Sequence, residues 1–254
     1  MMPSERRSLA LEYIQQRGLC GIGDLAGLLD VSRVTVHRIL DELEGQGLVR
    51  KERGGVRIVE TSKPEGRFEQ RIAQHLELKR ELARKAVKFV EDGDTLFIDA
   101  STTCYCFAEA LGQLKPNAML TIVTNSPFVL QRFIELPDYH VTSTGGELDH
   151  RLNALVGSIT LDTIGKLQFN KAFISPHCVS PLGIMTPHSS TFEVYDKVIG
   201  SAAETTLLAE SPKFGQMSPL LIAPLSALKR IVTDSKLSKE MRQLYSEDAA
   251  VPVI

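Results

Sequence analysis

Apolar residues recur along this chain at two spacings, and the change of spacing divides it. Over roughly the first sixty residues the spacing is helical. A first helix is predicted over residues 5–17, with Leu9, Tyr13 and Ile14 inward and Gly18 ending it. A second is predicted over 22–29, with Leu25, Leu28 and Leu29 inward. Asp30-Val31 reads as a turn, and Ser32 as the N-cap of a third helix, its hydroxyl accepting from free backbone N–H groups of the first turn. In that third helix Val34, Ile39 and Leu43 are expected to face the other two. Arg33, Thr35, His37 and Arg38 then lie on the opposite side or along the flanks. After Gly47-Leu48-Val49, two extended runs around Gly54-Gly55 predict a β-hairpin carrying Arg50, Lys51, Arg53 and Arg57.

Residues 61–66 (Thr-Ser-Lys-Pro-Glu-Gly) are polar and interrupted by Pro and Gly, the pattern of a linker. One long charged helix is predicted over 67–91, with an apolar stripe of Ile72, Leu76, Leu82, Ala86, Phe89 and Val90. It fits both an element that passes motion between domains and a helix that covers a sheet. From Gly93 onward the spacing changes. Short apolar strands are predicted at 95–99, 119–124, 140–144, 171–175, 206–209 and 230–233. Helical stretches fall between them at 103–111, 127–134 and 192–203, and 153–167 reads as largely helical. Such alternation predicts an α/β domain with a mainly parallel sheet. The expected organisation is multidomain: a small winged helix-turn-helix over 1–60, a linker and connecting helix over 61–92, and a larger α/β domain over 93–254.

The polar face of the third helix suits the major groove of DNA, where the N-terminal residues of such a helix meet base edges. Arg33 matches bidentate contact with guanine, and Thr35 offers a methyl or a hydroxyl. Ser32, His37 and Arg38, with Arg50, Lys51 and Arg53 of the hairpin, complete the expected DNA-binding set, the later basic residues gripping phosphates. A plain three-helix bundle with a solvated polar face is the alternative. Residues 32–57 carry six Arg/Lys against four acids, a surplus too small to choose between them. The order helix, turn, capped helix, glycine, basic hairpin favours DNA.

In parallel α/β sheets, ligands bind beyond the carboxyl ends of the strands. The first such end is Asp99-Ala100-Ser101-Thr102-Thr103, small hydroxyl residues at a helix N-terminus, which favours an anion. Asn125 in Thr124-Asn125-Ser126 can bond a sugar hydroxyl. Gly145-Gly146-Glu147 lets backbone approach a ligand closely. Lys213, in Ser211-Pro212-Lys213-Phe214-Gly215, can meet an anion. Each alone is also an ordinary turn; four at the ends of one sheet point to a site.

Composition narrows the classes. The chain has 254 residues, 43% hydrophobic, with a formal net charge of −2, so nucleic-acid binding must come from a local patch. No run of apolar residues is long enough for a membrane helix. Glu5, Arg6 and Arg7 stand where a signal core would be, so a cytoplasmic location is expected. Cys20, Cys104, Cys106 and Cys178 match no zinc or redox spacing and are expected as buried, reduced thiols. No metal and no cofactor is expected.

The first sixty residues resemble the winged helix-turn-helix of the DeoR family of bacterial regulators. That family's Val-Ser-x-x-Thr-x-Arg-Arg-Asp-Leu, Leu-x-x-x-Gly and basic wing ending His-Gly-Gly-Ala have counterparts here. They are Val31-Ser32, Thr35, His37-Arg38-Ile39-Leu40, Leu43, Gly47 and Arg53-Gly54-Gly55-Val56. His37 stands for the first Arg of the pair and Ile39 for the Asp, which implies a different operator sequence. The resemblance continues through Asp234. It runs over Asp92-Gly93-Asp94-Thr95, Asp99 to Thr103, Thr124-Asn125-Ser126, Gly145-Gly146-Glu147-Leu148, Ala154-Leu155-Val156-Gly157, Lys171-Ala172-Phe173, Glu193-Val194 and residues 208–215. It implies a sensor domain similar in fold to ribose-5-phosphate isomerase, binding phosphorylated sugars or related metabolites, with DNA binding released or altered in response. Three departures fall in the implied site: Ser101 for Gly, Ser175-Pro176-His177-Cys178 for Gly-Ala-Asp-Gly, and Tyr195 for Lys. They suit a less charged ligand or a differently substituted polyol phosphate. His177 fits a new ligand contact or a packed loop histidine. The implied effector set is therefore Asp99, Ser101, Thr102, Thr103, Asn125, Gly145, Gly146, Glu147, His177, Glu193 and Lys213.

The expected function is a transcriptional regulator, most simply a repressor of a carbohydrate or polyol catabolic operon. Its partners would be double-stranded operator DNA, a phosphorylated sugar or polyol as effector, and its own copies in a homodimer or homotetramer. Two alternatives compete: a sugar-phosphate isomerase-like enzyme and a structural DNA-binding protein with a non-sensing C-terminal domain. The first lacks an evident carboxylate pair and leaves the N-terminal reader without a role. The second leaves the polar strand ends unexplained.

Overall fold

The computed structural model describes residues 6, 10, 13–14, 19–45, 49–52, 55–58, 68–114, 119–247 and 251–254. The chain forms two compact units, Met1–Glu65 and Gly66–Ile254. Most of the first predicted helix lies outside the described residues, as do Gly47-Leu48, Arg53-Gly54 and the linker at 61–66; Arg6, Ala10, Tyr13 and Ile14 are helical.

The first unit is built on β1 (Leu19–Cys20), α1 (Ile22–Leu29), α2 (Arg33–Gly45), β2 (Val49–Glu52) and β3 (Gly55–Ile58). Helix α1 stops at Asp30, which takes the left-handed conformation at φ 50°. Helix α2 then starts as expected, the Ser32 hydroxyl accepting from the Thr35 amide at 3.2 Å. The strands pair antiparallel in the order β1-β3-β2. Gly55 permits this pairing, because a Cβ there would stand 2.3 Å from the Cys20 carbonyl oxygen. Leu25, Leu29, Val36, Ile39, Leu40, Leu43, Val49 and Val56 form the core. Val34 does not join it and is 79% exposed. At about 100° per residue, positions 36, 39, 40 and 43 share one stripe, and 34 falls nearly opposite.

The second unit opens with α3 (Phe68–Ala73) and α4 (Leu76–Val87), where one continuous helix was expected. His75 is left-handed at φ 54° between them. The break is held by a side chain of the next helix. Lys79 Nζ donates to the carbonyls of Arg71 at 2.6 Å and Gln74 at 2.8 Å, giving the end of α3 a partner from inside α4. Phe68 meanwhile stacks on Phe128 with centroids 3.8 Å apart and meets Tyr105 edge-on at 5.3 Å.

Next come β4 (Thr95–Ile98), α5 (Thr102–Leu114), β5 (Leu120–Thr124), α6 (Pro127–Phe133) and β6 (Tyr139–Ser143). A hairpin of β7 (Glu147–Asp149) and β8 (Ala154–Val156) precedes α7 (Ser158–Gly165). The expectation of helix across 153–167 is therefore wrong in its first residues. Leu155 is held extended by Asn125, its N–H donating to the Asn125 carbonyl at 2.8 Å and its carbonyl accepting from Nδ2 at 3.2 Å. Then follow β9 (Phe169–Ile174), β10 (Cys178–Ser180), β11 (Gly183–Thr186), α8 (Ser189–Ser201) and β12 (Ala202–Leu208). The chain closes with β13 (Leu220–Ala223), β14 (Arg230–Val232) and α9 (Lys239–Glu247).

Six strands make an all-parallel sheet in the order β14-β12-β9-β4-β5-β6. Strands β10, β11 and β13 form a separate antiparallel sheet that the alternation did not reveal. Both faces of the parallel sheet are covered, which is why its strands read as continuous apolar runs. Phe97, Ala172, Ile174, Leu207 and Ile231 pack with Val194 and Val198 of α8; Leu96, Ile98, Ile122, Phe173 and Leu208 pack with Leu82 of α4 and Phe107 of α5. The strand order decides where a ligand can sit. From β4 the chain moves outward to β5 and β6, and from β9 it moves the other way to β12 and β14. The crevice between the carboxyl ends of β4 and β9 is the topological switch point.

Candidate nucleic-acid interface and sensor site

Helix α2 presents Ser32, Arg33, Val34, His37 and Arg38 as exposed residues at its start, with Thr35 half-buried. Their situations differ. The Thr35 and Ser32 hydroxyls are bonded to each other at 3.0 Å. Arg33 lies back over α1, its Nη2 within 3.6 Å of where a Cβ on Gly23 would stand. Arg50, the second residue of β2, is exposed. Lys51 was expected to grip phosphate, but it is paired with Asp41 and lies 3.7 Å from a Glu44 carboxylate oxygen. The hydrogen bond to Asp41 is the main reason its ammonium titrates above the usual lysine range. Its effect is to mask two acids of α2. Arg53 lies outside the described residues.

The second site grows from the switch point. Asp99, first residue past β4, is buried, and its Oδ1 accepts from the Ser101 amide at 2.7 Å. Its Oδ2 crosses the crevice to accept from the Ser175 amide at 2.8 Å, just past β9. The same oxygen accepts a hydrogen bond from the Tyr195 hydroxyl. Burial, then the Asp99 charge, push that phenol well above its ordinary range, so it stays a donor. Ser101 Oγ caps α5 by accepting from the Cys104 amide at 3.1 Å. The amides of Thr102 and Thr103 belong to the first turn, where no intrahelical acceptor exists.

From Ser175 the network continues inward. Lys213 Nζ donates to Ser175 Oγ at 2.7 Å and sits 3.0 Å from Glu210. Glu210 is buried and also 3.7 Å from Lys79. Burial alone would raise its carboxyl, but Lys213 and Lys79 outweigh that, and it titrates below the usual range. Burial lowers Lys79 below a normal lysine. A chain of contacts thus runs from Asp99 through Ser175, Lys213, Glu210 and Lys79 to the end of α3. Arg71 of α3 also donates to the Leu152 carbonyl at 2.8 Å, in the hairpin that Asn125 holds.

Among the described residues, three buried oxygens in or beside the crevice have no hydrogen-bond partner: Thr103 Oγ1, Asn125 Oδ1 and Glu210 Oε2, of which only the last has a cation beside it, Lys213 at 3.0 Å. Such orphans cost stability unless something outside the chain completes their bonding. The Gly145-Gly146 turn serves the protein itself. A Cβ on Gly146 would stand 2.1 Å from Thr160 Oγ1, and that hydroxyl donates to the Gly145 carbonyl at 2.6 Å. Glu147, His177 and Glu193 are exposed. Tyr195, Ser175, Glu210 and Lys79 join the site although sequence reasoning did not select them. Tyr195 and Ser175 stood out as departures from the family pattern, and Glu210 lies one turn from Lys213, but Lys79 carried no signal.

A sequence model of the DeoR-like helix-turn-helix domain matches residues 6–62, and one of the DeoR C terminal sensor domain matches 74–235. The HTH-type transcriptional regulator IolR of Bacillus subtilis is 31% identical, covering 93% of this chain and 93% of its own. The lactose phosphotransferase system repressor of Streptococcus mutans is 31% identical, covering 97% and 99%. A ribose 5-phosphate isomerase A from Methanocaldococcus jannaschii aligns over 55% of each chain, with 16% identity and a TM-score of 0.41. The helix-turn-helix and the sensor domain define a DNA-binding transcriptional regulator with a small-molecule sensor. The chain belongs to the DeoR family.

Proposed function

We propose that this regulator is a cytoplasmic repressor of a carbohydrate or polyol catabolic operon, whose hold on operator DNA is changed by a phosphorylated sugar or polyol. The observation that carries the effector reading is the pair of orphaned buried oxygens, Thr103 Oγ1 and Asn125 Oδ1, at adjacent strand ends beside a helix N-terminus. The anion meets the Thr102 and Thr103 amides, favoured by the helix dipole. Hydroxyls of the ligand meet Thr103 and Asn125. Lys213 lies two contacts from Asp99, so an anion that draws it from Glu210 leaves Glu210 to Lys79. The ammonium of Lys79 holds the carbonyl end of α3, the first described helix after the reader in the chain. A homodimer or homotetramer would present two readers to a two-fold operator.

An enzyme reading needs a carboxylate free to take a proton from substrate. Both oxygens of Asp99 are engaged by protein donors, which favours a sensor.

The test is a melting screen of the full-length chain against phosphorylated sugars and polyols, each beside its unphosphorylated form. The expected result is stabilisation by one phosphorylated member only. Stabilisation by unphosphorylated forms alone excludes the phosphate site. Binding to the regulator's own upstream DNA, weakening with salt, tests the reader. Lys213→Ala and Thr102→Ala are expected to blunt the effector response while leaving DNA binding intact.

A further inference from the structure

The outer face of α2 carries a side chain that neither the core nor the cap uses. Val34 is 79% exposed, and among the described residues of the first unit no other large hydrophobic is exposed. The buried stripe of Val36, Ile39, Leu40 and Leu43 fixes the helix rotation. At about 100° per residue, Val34 and Arg38 fall at the centre of the opposite face, one turn apart. Two neighbours expected to read bases have other contacts: the Thr35 hydroxyl is bonded to Ser32, and Arg33 lies over Gly23, while His37 stays exposed on the flank. A β-branched side chain in a helix has essentially one rotamer, so its methyls are presented with little ordering left to lose.

In the major groove, the apolar feature among the base edges is the C5-methyl of thymine. We infer that Val34 reads a thymine methyl in the operator, beside the base or phosphate that Arg38 reaches. The inference rests on α2 being the helix that enters the groove, and it gives Val34 the discriminating role first expected of Arg33 and Thr35.

The operator is first enriched from random duplexes on the full-length chain. Each thymine of the enriched sequence is then replaced singly by uracil, which keeps the base pair and removes the methyl. At one thymine per half-site, uracil is expected to weaken binding of the natural protein about fourfold, the scale of one methyl-sized apolar contact. Val34→Ala protein, substituted at an exposed position and melting normally, is expected to bind the thymine and uracil forms at that position alike. Equal losses for both proteins at every thymine overturn the inference and leave the placement of α2 standing. Failure to enrich any sequence overturns the placement of α2 and the inference with it.

Discussion

The two ends of the parallel sheet carry polar clusters of similar composition and opposite character. At the amino ends, Lys171 Nζ donates to Asp94 at 2.8 Å and to Glu91 at 3.0 Å, and Arg230 joins Glu204 at 2.8 Å and Thr206 Oγ1 at 2.9 Å. Glu91 is largely exposed, with 82% of its side chain in water. These pairs close on themselves. At the carboxyl ends, Asp99, Ser175, Tyr195, Lys213 and Glu210 lie in or near the switch-point crevice, and Thr103 Oγ1 and Asn125 Oδ1 beside them have no partner. Burying polar atoms without matching them costs stability. One end of the sheet is thus arranged for the fold, and the other retains a deficit that a ligand can fill.

The largest effect that tests this contrast is expected from Asp99→Ala. It strips the acceptor from three donors and should cost about 3 kcal/mol or more. Denaturant unfolding of the full chain measures it, and a loss under 1 kcal/mol would remove Asp99 from the centre of the network. Acid comes next. Both Glu210 and Glu204 titrate below the ordinary carboxylate value of 4.5, Glu204 chiefly through its hydrogen bond to Arg230. A depressed folded value means stability present above 4.5 and lost as pH falls through the folded value. Unfolding curves between pH 5 and 2 are expected to flatten for Glu210→Gln, which loses the carboxylate held down by Lys213 and Lys79, and for Glu204→Gln, which loses the one held down by Arg230. An unchanged acid dependence in Glu210→Gln with a flattened one in Glu204→Gln would place the acid sensitivity at the amino ends.

At the amino end, Lys171→Met should cost about 2 kcal/mol, because it leaves the buried Asp94 carboxylate without its cation, although Asp94 still accepts from the Glu91 amide at 2.8 Å. The smallest change in stability, and the sharpest test, is Thr103→Val. Replacing the orphaned hydroxyl by a methyl should leave the free protein unchanged or more stable by up to about 1 kcal/mol. The same variant should lose much of its effector-induced melting shift. A destabilised Thr103→Val protein with an intact shift would mean the hydroxyl serves the fold.

Much of the architecture was legible because it follows local rules. Helix 22–29, the Ser32 cap and the parallel strands came from apolar spacing and cap chemistry, which depend on residues close in the chain. The errors differ in range. Val34 was placed inward from spacings of five and four, although Val36, Ile39, Leu40 and Leu43 form the better stripe. The break at Gln74-His75 has no glycine or proline to announce it; it exists because Lys79 holds the carbonyls beside it. Residues 154–156 are extended because Asn125, thirty positions earlier, supplies their pairing. Tyr195 stood out as a missing cation, but only the packing of α8 against β4 and β9 showed its hydroxyl on the Asp99 carboxylate.

The sequence by itself determined two domains, most of their element types and the residues eligible for DNA and anion contact, because periodicity, capping and turn chemistry act over a few residues. Tertiary structure decided which eligible residues are available. Lys51 is turned to Asp41 and Glu44, Arg33 to Gly23, Gly146 to Thr160, while Val34, Thr103 and Asn125 keep unmatched surface or atoms. Availability is what is left after every neighbour in space has been paired, and those neighbours come from other elements of the fold, beyond the reach of periodicity and capping.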